Sequence, residues 1–321
     1  MKGRHWPLVD FLRLGDGSGA LSEAAPLGEA ADRSYSGVLV DMDGDGDLDV
    51  VVSNDDPDPK LVYLNRGDGT FERGSTFGRP EWSTRHVAVA DLDRDGTPDA
   101  VLANRSGDGT ALSFICFGDG DGGFRDPCHG FSQGSATTIT PADFNGDGAP
   151  DLIVPHRDGG QSYVRLNDGT GAFEERVPFG PRDATIRSAR PADLNGDGIL
   201  DLAVIDQRLG PGIFFGGVDL TFGPMQGLQH GEDVPYAIVA EDVDRNGRVD
   251  VIVGFVEARP RIYFNDAGDG SLTPVAFGDT EGAAYGFAVG DVDEDGYLDI
   301  AMARSGATNV LYIGGPERED R

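Results

Sequence analysis

An acidic nine-residue segment recurs six times along this 321-residue chain, beginning at Asp41, Asp91, Asp143, Asp193, Asp242 and Asp291. The copies read DMDGDGDLD, DLDRDGTPD, DFNGDGAPD, DLNGDGILD, DVDRNGRVD and DVDEDGYLD, and their starts lie 49 to 52 residues apart. Self-similarity at such a period marks a repeat architecture, in which one small unit buries its apolar face only against its neighbours. The 49 glycines and few helix-length apolar runs argue against an ordinary α/β enzyme.

Each copy presents oxygen-bearing side chains at positions 1, 3 and 5, the pattern a hard cation needs. Calcium takes six to eight oxygens, from carboxylates and carbonyls, at about 2.3–2.6 Å. The ligands expected at those positions are Asp41, Asp43 and Asp45; Asp91, Asp93 and Asp95; Asp143, Asn145 and Asp147; Asp193, Asn195 and Asp197; Asp242, Asp244 and Asn246; Asp291, Asp293 and Asp295. Glycine always fills position 6, where a positive φ permits a sharp turn. Position 7 is chemically mixed (Asp47, Thr97, Ala149, Ile199, Arg248, Tyr297), as expected if it offers only its backbone carbonyl. The ninth residue is aspartate throughout (Asp49, Asp99, Asp151, Asp201, Asp250, Asp299) and is read as closing the cage. An EF-hand also begins D-x-D-x-D-G but requires Glu at position 12 and flanking helices. Position 12 here is Val52, Leu102, Val154, Val204, Val253 or Met302, and the flanks are β-like.

Between loops, one repeat reads as four strands. SGVLVDM enters the first loop, LDVVVSN leaves it, KLVYLNR follows, and after a DG turn comes a short fourth strand, TFERGS. Runs such as LDVVV, PDLIVP and VDVIVG are continuously apolar, as strands buried on both faces are. Four antiparallel strands per ~50 residues, repeated radially, predict an all-β fold, a β-propeller of six four-stranded blades. The last repeat supplies only three strands, while residues 11–28 align with strands three and four of repeat three, SYVRLNDGTGAFEERVPFG. The N-terminus is therefore expected to close the ring as an outer strand, with a spare third strand at residues 11–14 that also suits a seventh blade. The whole chain, 1–321, is read as one propeller domain.

Net charge is −30, which argues against nucleic acid as a partner and against docking on an anionic membrane by charge. The six loops hold many of the acidic residues, and up to six calcium ions would offset much of that charge. No apolar stretch of membrane-spanning length is present, and the N-terminal MKGRHWPLVDFLRLGDG lacks the core of an export signal. Filling such loops takes high free calcium, so an extracellular or periplasmic location is expected. Cys116 and Cys128 flank FGDGDGGFRDP on adjacent strands of one hairpin, a placement that fits either a disulfide or a reduced buried pair.

The D-x-[DN]-x-[DN]-G-x-x-D loops, preceded by turns such as Phe77-Gly78, Phe179-Gly180 and Phe277-Gly278, resemble the FG-GAP/VCBS repeats of integrin α-subunit propellers and many bacterial secreted proteins. The resemblance implies the propeller fold and calcium, with the loop joining the innermost strand to the second, so that all ions line one face. Members include adhesins, lectin-like binders and a few polysaccharide lyases, so the resemblance does not select one function.

On the opposite face strand one begins and strand two ends. Six residues before each loop stand Tyr35, Arg85, Thr137, Arg187, Tyr236 and Tyr285; five past each ninth-position aspartate stand Asn54, Asn104, His156, Asp206, Phe255 and Arg304. These are expected to ring the mouth of the central channel, and the same positions also suit plain solvated strand ends. Tyrosine offers a stacking face with a hydroxyl, and arginine forks onto carboxylate or sulfate. Tyr35, Arg85, Arg187, Tyr236, Tyr285, His156, Asp206 and Arg304 are therefore the candidate ligand-binding residues, for a glycan or protein. The leading expectation is a calcium-stabilised binding or adhesion module, because no nucleophile elbow, zincin motif or phosphate loop appears. The alternative is a lyase-type enzyme with His156 or His86 as base, Tyr236 or Tyr285 as acid, and Arg187 or Arg304 neutralising a uronate carboxylate. A third reading is a structural spacer joined to other domains of a longer parent chain.

Overall fold

The computed structural model describes residues 7–315; residues 1–6, where the segment read for an export signal begins, lie outside them. Among the described residues there is no α-helix, hence none long and apolar enough to cross a membrane. The chain is all-β, with the sheet organisation of a six-bladed β-propeller. In repeat one, Ser34–Val40, Asp49–Asn54, Lys60–Asn65 and Phe71–Phe77 pair in that order as an antiparallel sheet. Its central register aligns Val38 with Val51 and Val51 with Val62, so the apolar side chains of neighbouring strands share a face.

Repeats two to five also give four-stranded sheets. Two of them differ locally. In repeat three the first strand shortens to Thr140–Ala142. In repeat four a small hairpin, Gly216–Gly217 with Thr221–Phe222, interrupts the path from the third strand to the fourth. The second strands of repeats one to five are buried along their whole length. Cores form between repeats: Val101 and Ala103 pack with Leu152 and Val154, and Ala203 and Ile205 with Val251, Val253 and Phe255.

Repeat six departs from this pattern. Its sheet has three strands among the described residues, Ala283–Gly290, Asp299–Ser305 and Val310–Tyr312, and Ala301 and Ala303 of its second strand are exposed. Among the described residues, the N-terminal segment does not pair with it as a fourth strand. Phe11–Leu12 pairs instead with Ala25–Pro26 as a separate two-stranded sheet. The two strands satisfy one another, and the turn between them reaches loop six: a Cβ on Gly19 would lie 3.1 Å from Asp293 Cβ, and one on Gly17 3.2 Å from Glu294 Oε1. The N-terminal segment thus joins the last repeat through a turn rather than a strand edge.

The described residues group into two compact units. One gathers Glu23–Thr185 with the N-terminal residues up to Arg13; the other gathers Leu14–Ser22 with the residues from Ile186 onward.

Candidate calcium loops and ligand rim

The six loops share one hydrogen-bond plan. The amide of the position-6 glycine donates to Oδ2 of the position-1 aspartate at 2.8–3.0 Å in every copy. The position-7 amide donates to Oδ1 of the position-5 side chain at 2.7–2.9 Å. These bonds curl positions 1, 3 and 5 about one centre. The position-6 glycines carry φ between 82° and 93°, as the sequence predicts. Position 4 is left-handed as well, in Gly44, Gly146 and Gly196 and also in Arg94, Arg245 and Glu294. Sequence reasoning missed that second turn, because three of its six occupants carry a side chain.

The ninth-position aspartates are buried, and both their oxygens accept backbone amides. One takes the position-2 amide of the same loop, from Met42, Leu92, Phe144, Leu194, Val243 and Val292. The other takes an amide at or just past the end of the third strand, from Asn65, Gly118, Asn167, Gly216, Asn265 and Gly314. Each of these aspartates is thus a clamp between loop and sheet, whatever it adds to an ion. Burial pushes the carboxyls of Asp99 and Asp250 up to about 6, against the lowering effect of those amide bonds; Asp151 and Asp201 are raised by the same cause.

The donor set fits a divalent cation. Carboxylate oxygens of Asp41, Asp43 and Asp45 lie within 4.8 Å of one another, as do those of Asp91, Asp93 and Asp99, of Asp242, Asp244 and Asp250, and of Asp291, Asp293 and Asp295. Oδ1 of Asp91 and Oδ1 of Asp291 are buried without a hydrogen-bond partner, an arrangement that costs free energy unless a cation meets it. In loops three and four the position-3 amide groups of Asn145 and Asn195 donate to Asp147 and Asp197 at 2.7 and 3.0 Å.

Hairpin turns from the following repeat brace these loops. The Asn167 side chain donates to Leu92 O at 2.8 Å, and that of Asn265 donates to Leu194 O at 2.9 Å. The turn at Gly118–Phe124 is closed by a disulfide between Cys116 and Cys128, the first of the two states the spacing allows.

At the other end of the first strands, the sheet register shifts between Ser34 and Ser36, Thr84 and His86, Ile186 and Ser188, Pro235 and Ala237, and Ala284 and Gly286. The residue skipped in each case is Tyr35, Arg85, Arg187, Tyr236 or Tyr285, five of the side chains singled out from spacing alone. A bulge re-aims a side chain and ends regular pairing, and bulges concentrate beside functional sites. The sixth equivalent, Thr137, precedes its short strand and is buried.

In the first unit the Arg85 guanidinium lies 4.2 Å from the Tyr35 ring centroid and pairs with Asp55 at 2.9 Å. In the second, Arg187 lies 3.4 Å from the Tyr236 ring, and Tyr236 is 4.6 Å from Tyr285. Arg187 is buried, its Nε donating to Tyr236 O at 2.8 Å; Tyr285 is 37% exposed. The result is a cation, ring, ring stack that ends at the surface.

The strand-two ends behave differently. Asp206 is buried and caps the amides of Arg208 and Leu209. His156 is buried in the first unit beside Tyr163, and desolvation, with Arg165 second, lowers its pKa, so it is neutral near pH 7. The Arg304 side chain is 4% exposed and pairs with Asp279 at 2.7 Å. These three side chains are therefore held against their own local partners instead of facing solvent. His86 is half-buried on the first strand of repeat two.

A family model described as FG-GAP-like repeat matches residues 41–102, 143–204 and 242–302, more than half of the chain. Among solved structures, the chain is similar to an Agrocybe aegerita lectin that recognises non-reducing terminal N-acetylglucosamine, with 20% identity and a TM-score of 0.60, covering 92% of this chain and 80% of the lectin. It is also similar to BBS1N, solved in complex with ARL6DN, with 13% identity and a TM-score of 0.57, covering 97% and 92%. A search of curated proteins found no match.

Proposed function

The chain belongs to the FG-GAP-like repeat family, and on that premise we propose that it is a calcium-stabilised propeller acting outside the cytoplasm, in an extracellular or periplasmic setting, as a binding module for a glycan. One observation carries the reading. Five of the six first strands bulge at the residue sequence reasoning assigned to the ligand rim, and in the second unit those residues form the Arg187, Tyr236 and Tyr285 stack. The exposed Tyr285 ring packs on Tyr236, which the buried Arg187 holds by a cation–π contact, and a ring so supported is a platform for the apolar face of a sugar. Its hydroxyl adds a directional hydrogen bond, and little side-chain entropy remains to be lost on binding.

The lectin neighbour supports a glycan as the ligand, and the BBS1N complex supports protein binding by the same fold. The loops would contribute by holding the strand ends in place, with calcium neutralising carboxylates that otherwise repel one another. No observation favours the lyase or spacer readings over this one.

The test is glycan-array binding with and without calcium, using the wild type and Tyr285→Ala. Binding that falls about tenfold or more in the variant, with an unchanged melting temperature, is expected. Binding that survives the substitution, or silence across the array, overturns the assignment of this rim to glycans.

A further inference from the structure

The six loops differ in what already stands at their carboxylates. In loop one the grouped oxygens come from positions 1, 3 and 5, Asp41, Asp43 and Asp45; in loop six they come from the equivalent Asp291, Asp293 and Asp295. In loop two the group is Asp91, Asp93 and Asp99, without the position-5 carboxylate. Asp95 is instead engaged by Arg125, whose guanidinium lies 2.6 Å from Asp95 Oδ2 and 3.9 Å from Asp93 Oδ2. Arg125 comes from the disulfide-closed turn of the same repeat, where its amide donates to Phe117 O at 2.8 Å. A cation delivered from so constrained a hairpin loses little freedom when it settles on the loop.

Two other arginines touch the loops less intimately. Arg94 donates to Asp147 O at 2.7 Å, bridging loop two to loop three, and Arg245 of loop five comes within 3.5 Å of Asp291. Arg94 also approaches Asp147 Oδ1, but at 3.5 Å against the 2.6 Å of Arg125 to Asp95, and Arg245 leaves Asp291, Asp293 and Asp295 grouped.

Resting on the calcium reading above, we infer that Arg125 is a built-in competitor for the ion of loop two. Its guanidinium occupies carboxylates that an ion there requires, so loop two is held together without metal and fills more weakly than loop one. An entering calcium ion displaces Arg125 from Asp95 and Asp93, and this blade then exchanges one cation for another rather than gaining its first. The six sites consequently load unequally, and the repeat carrying the disulfide depends least on calcium.

The experiment is calorimetric calcium titration of the wild type, Arg125→Gln, and Arg125→Gln combined with Asp91→Ala, with melting curves in excess EDTA and in excess calcium. Removing a positive charge a few ångströms from a divalent ion should tighten one site by about tenfold. The gain should vanish in the double variant, which assigns it to loop two. Arg125→Gln should also melt lower than wild type in EDTA, where Asp93 and Asp95 lose their counter-ion, and recover in calcium. Wild-type and Arg125→Gln proteins that bind calcium with equal affinities and show equal calcium-induced shifts overturn the competitor role alone. Absence of calcium binding in every protein removes the calcium reading and this inference together.

Discussion

Replacing Asp250 with alanine tests whether the ninth-position aspartate is a structural clamp as well as an expected metal ligand. The residue is fully buried, and its two oxygens accept the amides of Val243 at 3.0 Å and Asn265 at 2.8 Å. Alanine orphans both buried N–H groups, at about 1–3 kcal/mol each. Part of that loss is offset near pH 7, because burial has pushed the carboxyl up to about 6 and removing it relieves an unfavourable charge, at about 1.4 kcal/mol per pKa unit. The two orphaned amides together cost about 2–6 kcal/mol and the relieved charge returns about 3, so the net cost in metal-free protein at pH 7 is at most about 3 kcal/mol. At pH 5 the wild-type carboxyl is largely protonated when folded but ionised when unfolded, which stabilises the wild type by about 1 kcal/mol. The variant has no such group, so its deficit should widen by that amount. The assay is urea unfolding followed by circular dichroism in EDTA at both pH values. Coincident midpoints for the two proteins at pH 5 would refute the clamp, and a deficit that shrinks between pH 7 and pH 5 would refute the electrostatic reasoning.

The same sign applies to the wild type without metal. Asp99 and Asp250 have folded pKa values above the unfolded one, so their contribution is complete below about pH 4 and is lost as pH rises through about 6. Buried His156, lowered, opposes them with a single proton as pH falls below 6.5, so EDTA-treated protein should gain stability between pH 7 and pH 5 by urea titration; a steady loss over that window would contradict this. Reducing the Cys116–Cys128 bridge, which closes a loop of 12 residues, should cost about 3 kcal/mol by the loop-closure argument. Unfolding midpoints with and without reductant check it, and unchanged midpoints would show that the hairpin stands without its cross-link.

Much of this molecule is legible from its residues, and the parts that are not share a cause. The 49-to-52-residue period, the D-x-[DN]-x-[DN]-G pattern and the apolar runs identify loops and strands because side-chain type alone decides them. Asp49–Asn54 and Lys60–Asn65 begin and end within a residue or two of LDVVVSN and KLVYLNR. Backbone demand is less visible. That Asp49 and its equivalents answer two amides, one of them about fifteen residues away, depends on where the third strand ends, and no motif records that. The left-handed position 4 is hidden wherever arginine or glutamate occupies it. The rim positions were found by counting back from the loops, yet the bulges that aim Tyr236 and Tyr285 leave no mark in composition. Burial of Arg187 and Arg304 was missed because an arginine at a strand end reads as solvated until Tyr236 and Asp279 are brought beside it. The N-terminal segment carries the pattern of strands three and four, and the structure keeps those two strands paired with each other.

The most direct measurement for the central claim is the melting temperature of one purified sample in excess calcium and in excess EDTA, with bound metal counted by elemental analysis. A site occupied at a hundredfold excess over its dissociation constant stabilises the fold by about 2.7 kcal/mol, so even two filled loops should separate the curves by about 5 °C or more. The expected result is a calcium-dependent rise together with several ions per chain; superimposable curves and no bound metal would contradict the reading of these loops as calcium sites.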